Sequence, residues 1–164
     1  MRLVTIDASL FELYKEDSEV LDKVKRPYVL VLRLKYKGIL CHFAVPLRSN
    51  ISASTPKNQY FPLPTRATTR SQRRHGLHYI KMFPVTKEYF QRYRTEGNDY
   101  AILIQRIIND NVKRIVSECQ VYLDAYAQGN RPKYSTNIDY LLAQLFPEKA
   151  QLLSAYGNGS KEKE

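Results

Sequence analysis

The sequence predicts an α+β fold, and three observations carry that expectation. Tyr28 to Tyr36 (YVLVLRLKY) and Ile39 to Val45 (ILCHFAV) are apolar, partly alternating runs joined by the turn dipeptide Lys37-Gly38, which reads as a β-hairpin. Leu77 to Val85 reads as a further strand closed by Pro84. From Leu103 to Gln128, Ile104, Ile108, Val112, Ile115, Cys119, Tyr122 and Tyr126 recur at three- and four-residue spacing, the core-facing stripe of one long helix in the C-terminal half.

The remaining elements follow from local chemistry. Leu3 to Ile6 predicts a first strand, and Ser9 is placed to cap a short helix through Tyr14. Pro46 is expected to end the hairpin's second strand because it has no N–H to donate. Leu47 to Gly76 loses periodicity and gathers Ser, Thr, Asn, Pro and Arg, the composition of a long surface loop, and loops of that length more often serve function. Thr86, Lys87 and Glu88 open a helix to about Arg94, broken by Glu96-Gly97-Asn98. Gly129-Asn130 stops the long helix, and Thr136 or Asn137 caps a last one through Phe146, before Pro147. The chain reads as a single domain over residues 1–156, followed by a polar tail (157–164, GNGSKEKE) that frays into solvent.

Composition narrows the function. The 164 residues suffice for a core without disulfide or metal staples, and 43% hydrophobic residues with 13 tyrosines predict a globular protein. No apolar run reaches the roughly 18 to 20 residues of a membrane span, and Met1 to Asp7 lacks the layout of a signal peptide, so a cytoplasmic protein without membrane contact is expected. Cys41 and Cys119 lie in apolar contexts and read as buried thiols.

Charge is distributed one-sidedly. Between Asp22 and Glu88 there is no acid, while fourteen of the 26 Lys and Arg residues fall there: Lys23, Lys25, Arg26, Arg33, Lys35, Lys37, Arg48, Lys57, Arg66, Arg70, Arg73, Arg74, Lys81 and Lys87. The other twelve face all 16 acids. Such a segment concentrates a polyanion on one surface. Thr65 to His75 (TRATTRSQRRH) adds four arginines and four small hydroxyl residues. Tyr60, Phe61, His75 and Tyr79 nearby offer rings for unpaired bases, which suits single-stranded or folded RNA better than B-DNA. No helix-turn-helix or zinc-finger spacing points to duplex reading. The RNA contacts expected from this segment are Lys35, Lys37, Lys57, Arg66, Arg70, Arg73, Arg74, His75 and His78.

Chemistry at a phosphate is a separate matter. At the end of the hairpin strand, Arg48, Ser49 and Asn50 bring a guanidinium fork, a hydroxyl and an amide, which suit a phosphate ester, although a Ser-Asn pair after a strand is also a common turn. The acid-free segment has no carboxylates to hold a divalent metal. An RNase dispenses with metal when the ribose 2′-hydroxyl attacks the adjacent phosphate, which needs proton transfer and stabilisation of phosphorane charge. Tyr28, Arg48, Ser49, Lys81 and the histidines are of the right kinds. Among the histidines, His75 is the best acid–base candidate because it borders the arginine loop, whereas His42 sits mid-strand and reads as structural.

Taken in order, Arg26-Pro27-Tyr28, Phe43-Ala44-Val45-Pro46-Leu47-Arg48-Ser49-Asn50-Ile51 and Gly76-Leu77-His78-Tyr79-Ile80-Lys81 resemble the endoribonuclease toxins of type III toxin–antitoxin systems, the ToxN/AbiQ group, nearest its CptN and TenpN branches. The resemblance covers most of the chain. It implies a compact, strongly curved antiparallel β-sheet flanked by helices, similar to the MazF and Kid toxins. It also implies metal-independent RNA cleavage that leaves 2′,3′-cyclic phosphate and 5′-hydroxyl ends, with no cofactor. Its implied partners are cellular RNA and an antitoxin RNA pseudoknot, which the toxin processes from a repeat precursor and which inhibits it in a closed protein–RNA assembly. The implied site comprises Tyr28 from the strand opening, Arg48, Ser49 and Asn50 after the strand, and Lys81 from the later strand. Where related sequences carry a Lys or His after Pro-Leu-x-Ser/Thr, this chain has Ile51, Ser52 and Ala53, and the acidic position of a Gly-Leu-Asp-Tyr-type motif is His78. These departures leave His75 or His78 for proton transfer. The alternative expectations are a non-catalytic RNA-binding module with the same basic surface, and a protein-interaction domain for an acidic partner.

Overall fold

The computed structural model describes residues 2–21 and 28–159. Lys23, Lys25, Arg26 and the Arg26-Pro27 approach to the hairpin lie outside the described residues, as do residues 160–164 of the polar tail.

Seven strands form one antiparallel sheet: β1 (Arg2–Ile6), β2 (Val29–Tyr36), β3 (Ile39–Ser52), β4 (Tyr60–Leu63), β5 (Arg73–His78), β6 (Phe83–Val85) and β7 (Phe90–Arg92). Their order is β4-β5-β3-β2-β1-β7, with β6 also on β3. The helices are α1 (Ala8–Leu13), α2 (Asp99–Asp110), α3 (Val112–Ala127), α4 (Ile138–Leu145) and α5 (Ala150–Gly159). This is the α+β fold the sequence predicts. Helix α5 carries residues 157–159, expected in the frayed tail, into regular structure.

β3 organises the sheet. Residues 39–46 pair with β2, from Tyr36↔Ile39 to Val29↔Pro46, while its other edge pairs first with β6 at 42–44 and then with β5 at 47–52. The register slips between Arg48 and Ile51, a bulge that bends the strand. Pro46 therefore does not end the ladder. It falls between the stretches that pair with β6 and with β5, where the missing N–H costs no bond on that edge.

Three further expectations give way. The long loop over 47–76 contains the end of β3, all of β4 and the start of β5, because Ile51, Phe61 and Leu63 are buried anchors that the polar composition conceals. The helix over 86–94 is instead a 3₁₀ turn (Lys87–Tyr89) followed by β7, which completes the open edge of β1 at Val4↔Arg92 and Ile6↔Phe90. The helix over 103–128 is two helices: Asn98 caps α2 by accepting from the Ala101 N–H at 3.0 Å, and Asn111 breaks the run, donating its amide to the Ile107 carbonyl at 2.8 Å. The apolar stripe survives the break, since Ile104, Ile108, Ile115, Cys119, Tyr122 and Tyr126 are all buried. At the other end, Asp7 rather than Ser9 caps α1, its carboxylate accepting from the Ser9 N–H at 2.8 Å and hydroxyl at 2.6 Å.

Alternation divides the core into two layers. Leu30, Leu32, Leu34, Tyr36, Phe43 and Val45 pack under α2 and α3, whereas Val4, Val29, Ala44, Phe83 and Val85 pack with Leu10 of α1 and Leu141 of α4. Beyond the end of β1, Gln120 of α3 pairs with the backbone of Lys35, accepting from N–H at 3.0 Å and donating to the carbonyl at 2.7 Å, which satisfies an open stretch of β2. Cys41 and Cys119 are buried free thiols. Among the described residues no helix is long and apolar enough to cross a membrane.

Candidate functional site

β5 carries the site because its alternate residues serve two surfaces. His75 and Leu77 face inward. The His75 ring is almost fully buried, with Nδ1 3.0 Å from the Pro64 carbonyl and in hydrogen-bond contact with the Tyr100 hydroxyl. Tyr100 also donates to Pro64 at 2.8 Å, and the two rings stand 5.5 Å apart. Tyr100 reaches this position from the first turn of α2, which the Asn98 cap fixes. Over its ring, 4.6 Å from the centroid, lies the Arg66 guanidinium. Tyr28, at the entrance to β2, packs against Tyr93 with ring centroids 4.6 Å apart and the planes tilted by 40°; Arg66 and Tyr93 act on its hydroxyl electrostatically, and it acts in turn on that of Tyr100. One basic, aromatic cluster results: Tyr28, Arg66, His75, Tyr93 and Tyr100.

Its electrostatics follow from burial beside a cation. Burial depresses the His75 pKa, the Arg66 charge adds to that, and the Pro64 hydrogen bond opposes both without reversing them. The imidazole is neutral near pH 7. Burial pushes the Tyr100 hydroxyl up to about 12 against the pull of Arg66, so it holds its proton. The Tyr28 hydroxyl is raised for the same reason.

The arginine loop between β4 and β5 is tied to this cluster. The Thr69 hydroxyl accepts from the Arg66 backbone N–H at 3.0 Å, and the Asn50 side-chain oxygen Oδ1 accepts from the Arg70 backbone N–H at 3.0 Å. Arg66, Arg70, Arg73 and Arg74 are all exposed, as are Lys35 and Lys57.

The residues expected from the sequence fall into separate groups. Tyr28 stands in the cluster. Ser49 borders His75, lying between Arg48 opposite Gly76 and Ile51 opposite Arg74. Asn50 anchors the arginine loop. Arg48 lies on the other surface of β5, its Nη1 3.4 Å from His78 Nδ1. Lys81 is 4% exposed; its ammonium pairs with Glu19 and donates to the Tyr134 carbonyl at 2.7 Å, so it is an internal ion pair and not an open cation. Lys37, expected on the RNA surface, is instead a buried partner of Asp139 at 3.0 Å, alongside the Tyr36 hydroxyl at 2.8 Å and Arg131 at 2.6 Å. Burial works against the Asp139 charge, but these three donors hold its carboxyl below the usual range. His75 and His78 are buried, and so are Phe61 and Tyr79, which removes all four from the exposed surface expected to meet RNA.

Sequence reasoning missed Tyr93, Tyr100 and Glu19. Asn98-Asp99, a cap followed by an acidic first turn, was the signal that would have started α2 early enough to place Tyr100 on it. Among the described residues no three His, Cys, Asp or Glu side chains stand together as metal ligands.

No protein-family model and no curated protein matches the chain. Solved structures share its fold over nearly its whole length, and three of them come from type III toxin–antitoxin and antiviral systems. Within that class the similar structures are of the ToxN/AbiQ group. One is AbiQ, a lactococcal anti-phage endoribonuclease belonging to a type III toxin–antitoxin system, with a TM-score of 0.63, 16% identity, and coverage of 94% of this chain and 98% of that one. A second comes from work on bacterial type III toxin–antitoxin systems, in which a non-coding RNA pseudoknot selectively inhibits the toxin (0.63, 19%, 93% and 97%). A third comes from a bacterial antiviral system regulated by a processed non-coding RNA (0.64, 18%, 92% and 98%). At these identities the likeness establishes the shared fold.

Proposed function

We propose that this protein is a metal-independent endoribonuclease toxin of a type III toxin–antitoxin system. In this reading it acts on cellular RNA in the cytoplasm and needs no cofactor. It also processes a repeat-encoded RNA pseudoknot that inhibits it in a closed protein–RNA assembly. The observation that carries the chemistry is the Arg66–Tyr100–His75 arrangement.

The ribose 2′-oxygen attacks phosphorus, the bond from phosphorus to the 5′-oxygen breaks, and a 2′,3′-cyclic phosphate and a 5′-hydroxyl result. His75 is too buried to meet RNA directly, so in this reading Tyr100, a half-exposed residue, meets the strand and His75 backs its hydroxyl. With His75 in the tautomer that leaves Nδ1 unprotonated, the Tyr100 oxygen takes the 2′-hydroxyl proton as it passes its own to Nδ1, and the reverse transfer protonates the departing 5′-oxygen. Arg66 stabilises the phosphorane charge, a part that Lys81, already neutralised by Glu19, leaves open. Ser49 lies on β3 beside His75, Arg48 offers a further cation on the opposite surface of β5, Tyr28 and Tyr93 flank the site with rings, and Arg70, Arg73, Arg74, Lys35 and Lys57 hold the RNA backbone.

Product analysis tests the reading. RNA incubated with the purified protein in EDTA should yield fragments with cyclic phosphate and 5′-hydroxyl ends. Intact RNA bound by a folded protein would favour the non-catalytic RNA-binding module instead, and cleavage that stops on chelation would refute the metal-free route.

A further inference from the structure

A cavity adjoins the cluster on its far side, where β1, β7 and α2 meet. It measures about 230 Å³ and is lined by Arg2, Arg92, Tyr93, Thr95, Gln105 and Asn109. Its polar groups are almost entirely donors. Gln105 Oε1 accepts from the Leu3 N–H at 3.2 Å, and Gln105 Nε2 donates to Asn109 Oδ1 at 3.0 Å, which leaves the Asn109 N–H₂ as the group that side chain has to offer. The Tyr93 oxygen accepts from the Asn98 amide at 3.2 Å, which leaves its O–H proton to donate. Arg2 and Arg92 both line it, and no Asp or Glu does. Like charges gathered in a concave site repel unless an anion joins them, and a phosphate presents acceptor oxygens on every side to match such a lining. The volume accommodates a phosphate group.

We propose that this cavity binds a phosphate group of RNA, held by Arg2 and Arg92 with the Tyr93 hydroxyl and Asn109 amide. Tyr93 is the shared wall: it lines the cavity, and its ring packs against Tyr28 of the candidate site. A strand entering the cleavage centre past Tyr28 thus reaches a fixed phosphate one ring pair away. The assignment to RNA rests on the proposed function, whereas the binding of phosphate does not. Both arginines lie outside the acid-free segment, so the cavity extends the basic surface to a part of the chain whose overall charge balance is acidic.

Two measurements decide the matter. Inorganic phosphate titrated into the ¹⁵N-labelled protein should shift the Arg92 and Asn109 signals saturably, and the R2Q/R92Q double variant should bind it at least about tenfold more weakly. In RNA cleavage the same variant should raise KM severalfold with kcat unchanged. Equal effects on short RNAs with 5′-phosphate and 5′-hydroxyl ends identify an internal phosphodiester, and an effect confined to the 5′-phosphorylated RNA identifies a chain end. Phosphate that fails to saturate, or that binds the double variant equally well, overturns the site. Phosphate binding lost without any change in KM overturns the assignment to RNA. Should the wild-type protein cleave nothing, the proposed function falls while the phosphate titration still decides the cavity.

Discussion

The Arg66 guanidinium lies 4.6 Å from the centroid of the Tyr100 ring, and the hydroxyl of that ring bonds the His75 imidazole. A surface cation, a half-exposed phenol and a buried imidazole thus form one line from solvent into the sheet, supplied by a loop, a helix and a strand.

Removing the middle member tests that line. Tyr100→Phe keeps the ring beneath Arg66 and loses only the hydroxyl, so the fold and RNA affinity should persist while kcat falls by about 10² to 10⁴. Single-turnover cleavage with binding measured in parallel checks this; a variant that cuts at the wild-type rate removes Tyr100 from the reaction.

The His75 pKa lies below its ordinary 6.5, and Arg66 is one cause. Arg66→Gln removes a positive charge that disfavours the imidazolium, so the His75 pKa should move up, with burial still holding it below 6.5. An NMR titration of the ring C–H reads the direction. The same depression bears on stability. Between the folded pKa and 6.5 the unfolded chain binds more protons, so His75 stabilises the fold above that window and this contribution is lost as pH falls through it.

Lys81 and Glu19 should respond asymmetrically. Glu19→Ala strands a buried ammonium and should cost about 3 kcal/mol, whereas Lys81→Met leaves a partly solvated carboxylate and should cost nearer about 1 kcal/mol. Urea unfolding measures both. If Lys81 is a positioning residue, cleavage per folded molecule survives in Lys81→Met, and its loss would return the lysine to the reaction.

Gly76 is required by close approach and not by its dihedral angles. A Cβ there would stand 2.2 Å from the Phe61 carbonyl oxygen, a backbone atom that cannot swing away. Gly76→Ala should therefore part β4 from β5 and destabilise the protein by about 2 to 3 kcal/mol, read from the denaturation midpoint.

The exposed arginines set the salt dependence. Replacing Arg70, Arg73 and Arg74 together with Gln should flatten the plot of log affinity against log salt by about 2 for single-stranded RNA. An unchanged slope would place the RNA path elsewhere.

Much of the fold was legible because alternation and helical period report burial directly. The β2–β3 hairpin, β1 and the stripe through Ile104, Ile115 and Tyr126 are of this kind. Elements whose cause is tertiary were hidden. β4 is four residues containing a proline, and β7 is three residues that form a strand because β1 has an open edge beside them. The site was legible by charge but not by contact. The acid-free segment identified the exposed arginines, yet nothing within that segment reveals that Glu19 reaches Lys81 or that Asp139 reaches Lys37, pairs that span 62 and 102 positions of the chain. Tyr100 was lost for a smaller reason, a helix start placed a few residues late.

The position of Tyr100 at the head of α2 also sets an order in time. On the ribosome the chain emerges from its N-terminus, so Tyr28, Arg66 and His75 are all made before the phenol that joins Arg66 to the imidazole. A nascent chain halted before residue 100 has a basic surface and no complete proton path, and α2 and α3, which cover one layer of the core, are not yet there to hold the sheet. Under the proposed function, a nascent chain should therefore gain cleavage competence only after residue 100 and the helices that follow it have been made.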